Sequence, residues 1–231
     1  MEKIKNGCLT GNQLKIIALI TMTCDHVGKE LLQDLAILQI IGRLAFPIFA
    51  YMIAEGAQYT KNRRRYLLMM AGLALICQII YFVAMGSLYQ CVLVTFSLSI
   101  GLIYLFDHAR SERTPAAWAI AVTALVTVYF VSEQLPMVLS HTDFMIDYGF
   151  AGIMLPVVVY PLRNKWEKLV AATLVLIMMC IPDGGIQWYS LLSVVLLALY
   201  NGKRGKRKFK NLFYIYYPLH LAAIYVISLL I

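Results

Sequence analysis

The feature that most constrains this chain is a succession of apolar runs, each separated from the next by a short polar connection. A hydrocarbon core about 30 Å thick is crossed by about 20 mostly apolar residues in a helix. No water reaches the backbone there, so each run must satisfy its own amides and carbonyls. Runs of this kind lie at 13–30, 36–58, 65–86, 91–108, 116–134, 146–162, 166–182, 186–200 and 211–231. They predict an all-α integral membrane protein, a single polytopic bundle of about nine transmembrane helices within one domain over 1–231. The hydrophobic fraction, 61%, is more than a water-soluble core needs. The run from Leu14 to Val27 follows a weakly basic tail and no small-residue cleavage site follows it, so it reads as a retained first helix.

The net charge is +8, but the cations are clustered between the apolar runs. Lys61, Arg63, Arg64 and Arg65 form one cluster, and Arg110 with Arg113 a second. Arg163, Lys165 and Lys168 form a third, and Lys203, Arg204, Lys206, Arg207, Lys208 and Lys210 a fourth. The alternate connections carry Lys29, Glu30 and Asp34, then no charge, then Glu133, Asp143 and Asp147, then Asp183. By the positive-inside rule the N-terminus is expected in the cytoplasm and the C-terminus outside, in a bacterial inner membrane. Clusters of this kind are topology signals rather than a nucleic-acid footprint. The last of them is also suited to anionic lipid or a phosphorylated ligand. Cys8, Cys24, Cys77, Cys91 and Cys180 show no CxxC pairing, so neither a metal site nor a disulfide framework is expected.

Ionisable groups at bilayer depth cost about 2.5–3.5 kcal/mol each on insertion scales, so each asks for a partner or a purpose. They are Lys15, Asp25 and His26 in the first helix, Arg43 and Glu55 in the second, Asp147 at the mouth of the sixth and His220 in the ninth. Lys15 and His26 fall on one helical face about 16 Å apart, whereas Arg43 and Glu55 are about 18 Å apart and cannot pair. If the first two helices are antiparallel neighbours, two polar tiers result: an outer one of Asp25, His26 and Arg43, and an inner one of Lys15 and Glu55. Asp25 and His26 together supply a proton acceptor and a titrating imidazole, the groups general-base chemistry needs. Adjacent residues point about 100° apart on a helix, so Asp25 can orient the imidazole only where the helix is distorted.

Plainer roles stand beside these. Lys15 could snorkel to headgroups, Glu55 could pair with the following arginines, and Asp147, ahead of Tyr148 and Gly149, could cap the sixth helix. Tyr214, Tyr216 and Tyr217 suit an interfacial belt, with His220 deeper.

The stretches LKIIALITMTCDHVG, IGRLAFPIFAYMIAEG, DYGFAG, YNGKRG and YIYYPLHL resemble, in that order, the TraX family of membrane proteins. That family takes its name from an N-terminal acetyltransferase of conjugative pilin and is grouped with transmembrane acyltransferases such as acyltransferase-3 and heparan glucosaminide N-acetyltransferase. Many of these carry a basic residue ahead of a first-helix histidine, the place Lys15 holds relative to His26. The resemblance implies transfer of an acyl group, acetyl above all, from cytosolic acyl-CoA to a hydroxyl or amine at the outer face. Its acceptor would be an envelope carbohydrate, peptide or pilin-like chain. His26, Asp25 and Arg43 would be catalytic, with Glu55, Asp147, Tyr148, Tyr217 and His220 as supporting polar groups. Lys15, Arg63 and Lys206 would lie toward acetyl-CoA. No metal is expected, and a homodimer is compatible with the chain. A proton-coupled transporter using the same charges is the rival reading, though no paired repeats support it. An assembly protein without chemistry is a third.

Overall fold

In a computed structural model of the full chain, residues 7–205, 210–228 and 230 are described. Among them the structure is helical, with isolated bridges in place of strands. The helices are α1 (Gly11–Glu30), α2 (Ala36–Gly42), α3 (Ala45–Tyr59), α4 (Arg63–Met85), α5 (Val92–Glu112), α6 (Pro115–Tyr129), α7 (Leu135–Val138), α8 (Gly149–Val159), α9 (Lys165–Asp183), α10 (Ser193–Ala198) and α11 (Lys210–Ser228). A π-turn, Phe130–Gln134, joins α6 to α7, and a 3-10 segment, Gly185–Leu192, leads into α10. Grouped this way, the helices fall on the nine expected runs.

Among the described residues four stretches are long and apolar enough to cross a membrane: Ala36–Tyr59, Arg63–Val83, Val92–Glu112 and Pro115–Val138. Shorter apolar helices occupy Gly149–Val159, Gly185–Ala198 and Ile215–Ser228. α1 and α9 have comparable length with more polar sequence: Lys15, Asp25, His26 and Lys29 in α1, and Lys165, Glu167, Lys168 and Asp183 in α9.

Two interruptions have covalent causes. The run expected as one helix over 36–58 is broken at Arg43 and Leu44, between α2 and α3. Pro47 lies four residues after Arg43; it has no amide to offer the Arg43 carbonyl, and its ring crowds that oxygen. Pro136 stands in the same relation to Ser132, which lies inside the π-turn. There the chain widens by one residue and continues to Val138.

The chain divides into two compact units, one of residues 1–52 with 163–231 and the other of 53–162. In the first, α1 packs closely on α2 because two glycines allow it. A Cβ on Gly28 would lie 2.8 Å from the Leu38 side chain, and a Cβ on Gly42 would run into Asp25. The start of α1 is closed by a capping box, with Gln13 Oε1 accepting from the Thr10 amide at 2.8 Å. Its next donors are taken by the YNGKRG loop: the Gly11 and Asn12 amides reach the Lys203 and Arg204 carbonyls at 2.8 and 3.0 Å. Lys168, expected in a connecting cluster, is instead buried in α9, its ammonium 5.9 Å from the Tyr51 ring centre.

In the second unit α5 is central, flanked by α4, α6 and α8. Leu102, Ile146 and Ile153 are its buried core, and Ser99 Oγ donates to the Ile153 carbonyl at 2.8 Å.

Candidate functional site

The first unit holds a cluster built from α1, α2, the 3-10 segment and α11. Asp25 and His26 sit in the last two turns of α1, which runs unbroken to Glu30. With no distortion there, the two side chains diverge as adjacent helical positions must. Asp25 is buried and forms ion pairs with Arg43 and with Lys29, the latter at 2.6 Å. Arg43 stands at the break after α2. Its Nε lies 3.4 Å from the Gln39 carbonyl, its Nη1 donates to Gln187 Oε1 at 3.3 Å, and its Nη2 donates to Asp25. Lys29, Gln39 and Gln187 complete the surroundings of the buried pair.

His26 has a different partner. Its Nδ1 is 2.8 Å from Nε2 of His220, with the ring centres 5.0 Å apart. His220 Nδ1 is 3.0 Å from the Tyr216 carbonyl. A carbonyl only accepts, so His220 Nδ1 carries the hydrogen there. With both rings neutral, His220 Nε2 is then an acceptor, His26 Nδ1 donates to it, and His26 Nε2 keeps a bare lone pair. That nitrogen has no hydrogen bond to a described residue. Aromatic packing fixes the second ring: Tyr216 stacks on His220 at 11° with centres 5.3 Å apart, and Tyr217 meets it edge-on at 5.4 Å. Tyr216 is tied to α1 by a 2.7 Å hydrogen bond between its hydroxyl and Thr23 Oγ1. Pairing of Asp25 with the His26 imidazole is therefore corrected: Asp25 serves Arg43, and His220 orients His26.

Asp25, His26, Arg43, Tyr217 and His220 lie in this one cluster of the first unit. Lys15 is partly buried on α1. Glu55 is buried on α3, in the second unit. Lys206 lies outside the described residues. Arg63, expected near a nucleotide, begins α4 and pairs with Asp107 at 2.5 Å over the Tyr104 ring, with Tyr160 OH 3.1 Å from the same carboxylate. Asp147 and Tyr148 also belong to the second unit. Asp147 accepts from Tyr89 OH at 2.6 Å, and burial followed by this carboxylate pushes the Tyr89 phenol up. Capping of the following helix by Asp147 is corrected: Tyr148, at φ 62°, occupies the cap position without a side-chain bond. The carboxylate at that helix end is Glu133, which accepts from the Phe150 amide at 2.6 Å. Glu133 is brought there by the π-turn ahead of Pro136.

No group of three or more His, Cys, Asp or Glu residues suited to a metal occurs among the described residues.

The fold and the cluster define a class: a helical protein with membrane-length apolar helices that buries an ion pair beside a half-buried histidine pair. The chain belongs to the TraX family, whose sequence model, described as TraX protein, matches residues 10–228. It is similar to the probable fimbrial assembly protein FimC, serogroup H1, of Dichelobacter nodosus, at 25% identity over 243 residues, 91% of this chain and 92% of that protein. An uncharacterized protein of Rickettsia prowazekii (strain Madrid E) shares 50% identity over 38 residues, 16% of this chain and 15% of that protein. No solved structure matches. These likenesses correct the functional expectation. The family model is described as TraX protein, and the relative is named for fimbrial assembly. They do not support a general envelope acyltransferase fed by cytosolic acyl-CoA, nor a proton-coupled transporter.

Proposed function

We propose that this protein acts in pilus assembly by acetylating an amino group of a pilin subunit, and that the histidine pair of the first unit is where the proton is handled. The observation that carries the reading is the bare Nε2 of His26, set by the chain from the Tyr216 carbonyl through His220 to His26 Nδ1. A neutral imidazole whose other nitrogen is held by an acceptor has the arrangement of a general base. The family's association with pilin acetylation and the fimbrial relative support the acceptor class. The four membrane-length helices support a multi-pass protein, with the basic connections in the cytoplasm by the positive-inside rule.

In this mechanism His26 Nε2 takes the proton of the attacking amine, and His220 holds the ring in the productive tautomer and stabilises the positive charge it acquires. Asp25 and Arg43 are positioning residues: they brace α1 against the break after α2.

Deleting the gene and measuring intact pilin masses tests the reading. Loss of one acetyl mass, restored by the wild-type chain, is expected. His26→Ala should lower restoration at least about hundredfold, in line with loss of a general base, and should leave the protein folded in the membrane. Membranes supplied with radiolabelled acetyl-CoA then test that compound as donor. Unchanged pilin mass in the deletion strain, or full restoration by His26→Ala, overturns the proposal.

A further inference from the structure

Gln187 is 5% exposed, in the 3-10 segment after the Gly184–Gly185 turn. Its side-chain oxygen accepts from Arg43 Nη1, and its backbone carbonyl lies 3.4 Å from Cys180 Sγ. A guanidinium can only donate, so the amide orientation is settled: Oε1 faces Arg43 and Nε2 takes the other branch. Nε2 is buried there with no hydrogen-bond partner. Buried amide donors are nearly always satisfied, and an unmet one beside a cation is a place where an oxygen acceptor is missing. Meanwhile Arg43 directs hydrogens from Nε, Nη1 and Nη2 to protein oxygens.

We propose that Gln187 Nε2 is the donor that holds the carbonyl oxygen of the acetyl group being transferred, while Arg43 is a positioning residue that fixes the Gln187 amide through Oε1. This rests on the pilin-acetylation reading and reassigns within it the oxyanion role that the sequence suggests for Arg43. The donor is an acetyl thioester. The pilin amine nitrogen forms a bond to the carbonyl carbon, and the carbonyl π pair moves onto the oxygen facing Gln187 Nε2. Collapse of that intermediate breaks the carbon–sulfur bond. The proton taken from the amine by His26 Nε2 goes to the departing thiolate, leaving an acetamide and a free thiol. A donor aimed where charge develops, in a site closed to water, acts most strongly in the transition state.

Two variants separate this role from a structural one. Gln187→Glu keeps an oxygen for Arg43 and removes the donor; Gln187→Met removes both at similar volume. The full-length protein in detergent is assayed with acetyl-CoA and a peptide carrying the pilin amine, and its melting is followed in parallel. Both variants should lose about hundredfold in kcat, with KM for acetyl-CoA little changed and with Gln187→Glu melting close to wild type. A Gln187→Glu enzyme with at least half the wild-type kcat overturns the inference, as does a loss confined to KM. If Gln187→Glu is inactive and Gln187→Met is fully active, the introduced charge is responsible and the inference also fails. If the wild-type chain does not acetylate the peptide or restore the pilin mass, the pilin-acetylation reading fails, and this inference falls with it.

Discussion

The two units place their charged residues differently. In the second unit, ionisable groups fasten helix ends and connections: Arg63 to Asp107, Glu133 to the amide of Phe150, and Asp143 to Ser87 Oγ at 2.5 Å and the Leu88 amide at 2.9 Å. Each of these carboxylates meets a donor and fastens the scaffold, although Gln78 Oε1 and Tyr104 OH of the same unit are buried without a hydrogen-bond partner. Among the described residues of the first unit the polar groups of the cluster are also linked, and His26 Nε2 and Gln187 Nε2 make no hydrogen bond. What sets the first unit apart is that its two open nitrogens belong to the cluster around a buried ion pair.

This contrast can be broken by mutation, beginning where the effect should be greatest. Asp25→Ala removes one member of a buried pair and leaves the Arg43 guanidinium, 12% exposed, without its carboxylate. It should destabilise the protein by about 3–5 kcal/mol, measured by denaturation in detergent, and abolish acetylation with it. Glu133→Ala should cost about 1 kcal/mol, the usual loss for a helix N-terminal cap, with pilin acetylation unaffected. Asp107→Ala opens a pair whose members are 51% and 28% exposed. For such pairs about 0.2–1 kcal/mol is expected, again without loss of acetylation. If Glu133→Ala or Asp107→Ala eliminated acetylation in a folded protein, the second unit would be more than a scaffold.

The smallest effect is a pH dependence. The Ser87 hydroxyl, then the Leu88 amide, hold the Asp143 carboxyl below the usual carboxylate range. A group whose folded pKa is depressed contributes stability that is present above its unfolded pKa and lost as pH falls through the folded value. The difference in stability between wild type and Asp143→Asn should therefore be constant near neutrality and shrink in acid. A difference that grows on acidification would show that the carboxylate is not stabilised in the folded state.

Much of the fold is legible in the sequence, because apolar length and helical structure are tied by the absence of water in the bilayer. Family membership is legible as well, through motifs spread from α1 to α11. What is hidden is pairing. Asp25 and His26 are neighbours in sequence, which suggests a pair, yet helical geometry separates them. The actual partner of His26 is 194 residues away. The break at Arg43 is implicit in Pro47, but only the folded chain shows that it turns the guanidinium toward both Asp25 and Gln187. Gln187 is a single neutral amide after a double glycine, and nothing in its local pattern marks it. Asp107 ends an apolar helix near two arginines and gives no sign that its partner is Arg63.

The clasp between α1 and the loop at 199–204 has a consequence in time. The carbonyls of Lys203 and Arg204 leave the ribosome long after the amides of Gly11 and Asn12 that they bind. The second unit can settle while translation continues, since all of residues 53–162 emerge before α9. The first unit cannot. Helix α1 must wait, partly unsatisfied, for residues 203–204, and His26 for α11, so the histidine pair forms only after the whole second unit has been made and a product cut short before His220 lacks it.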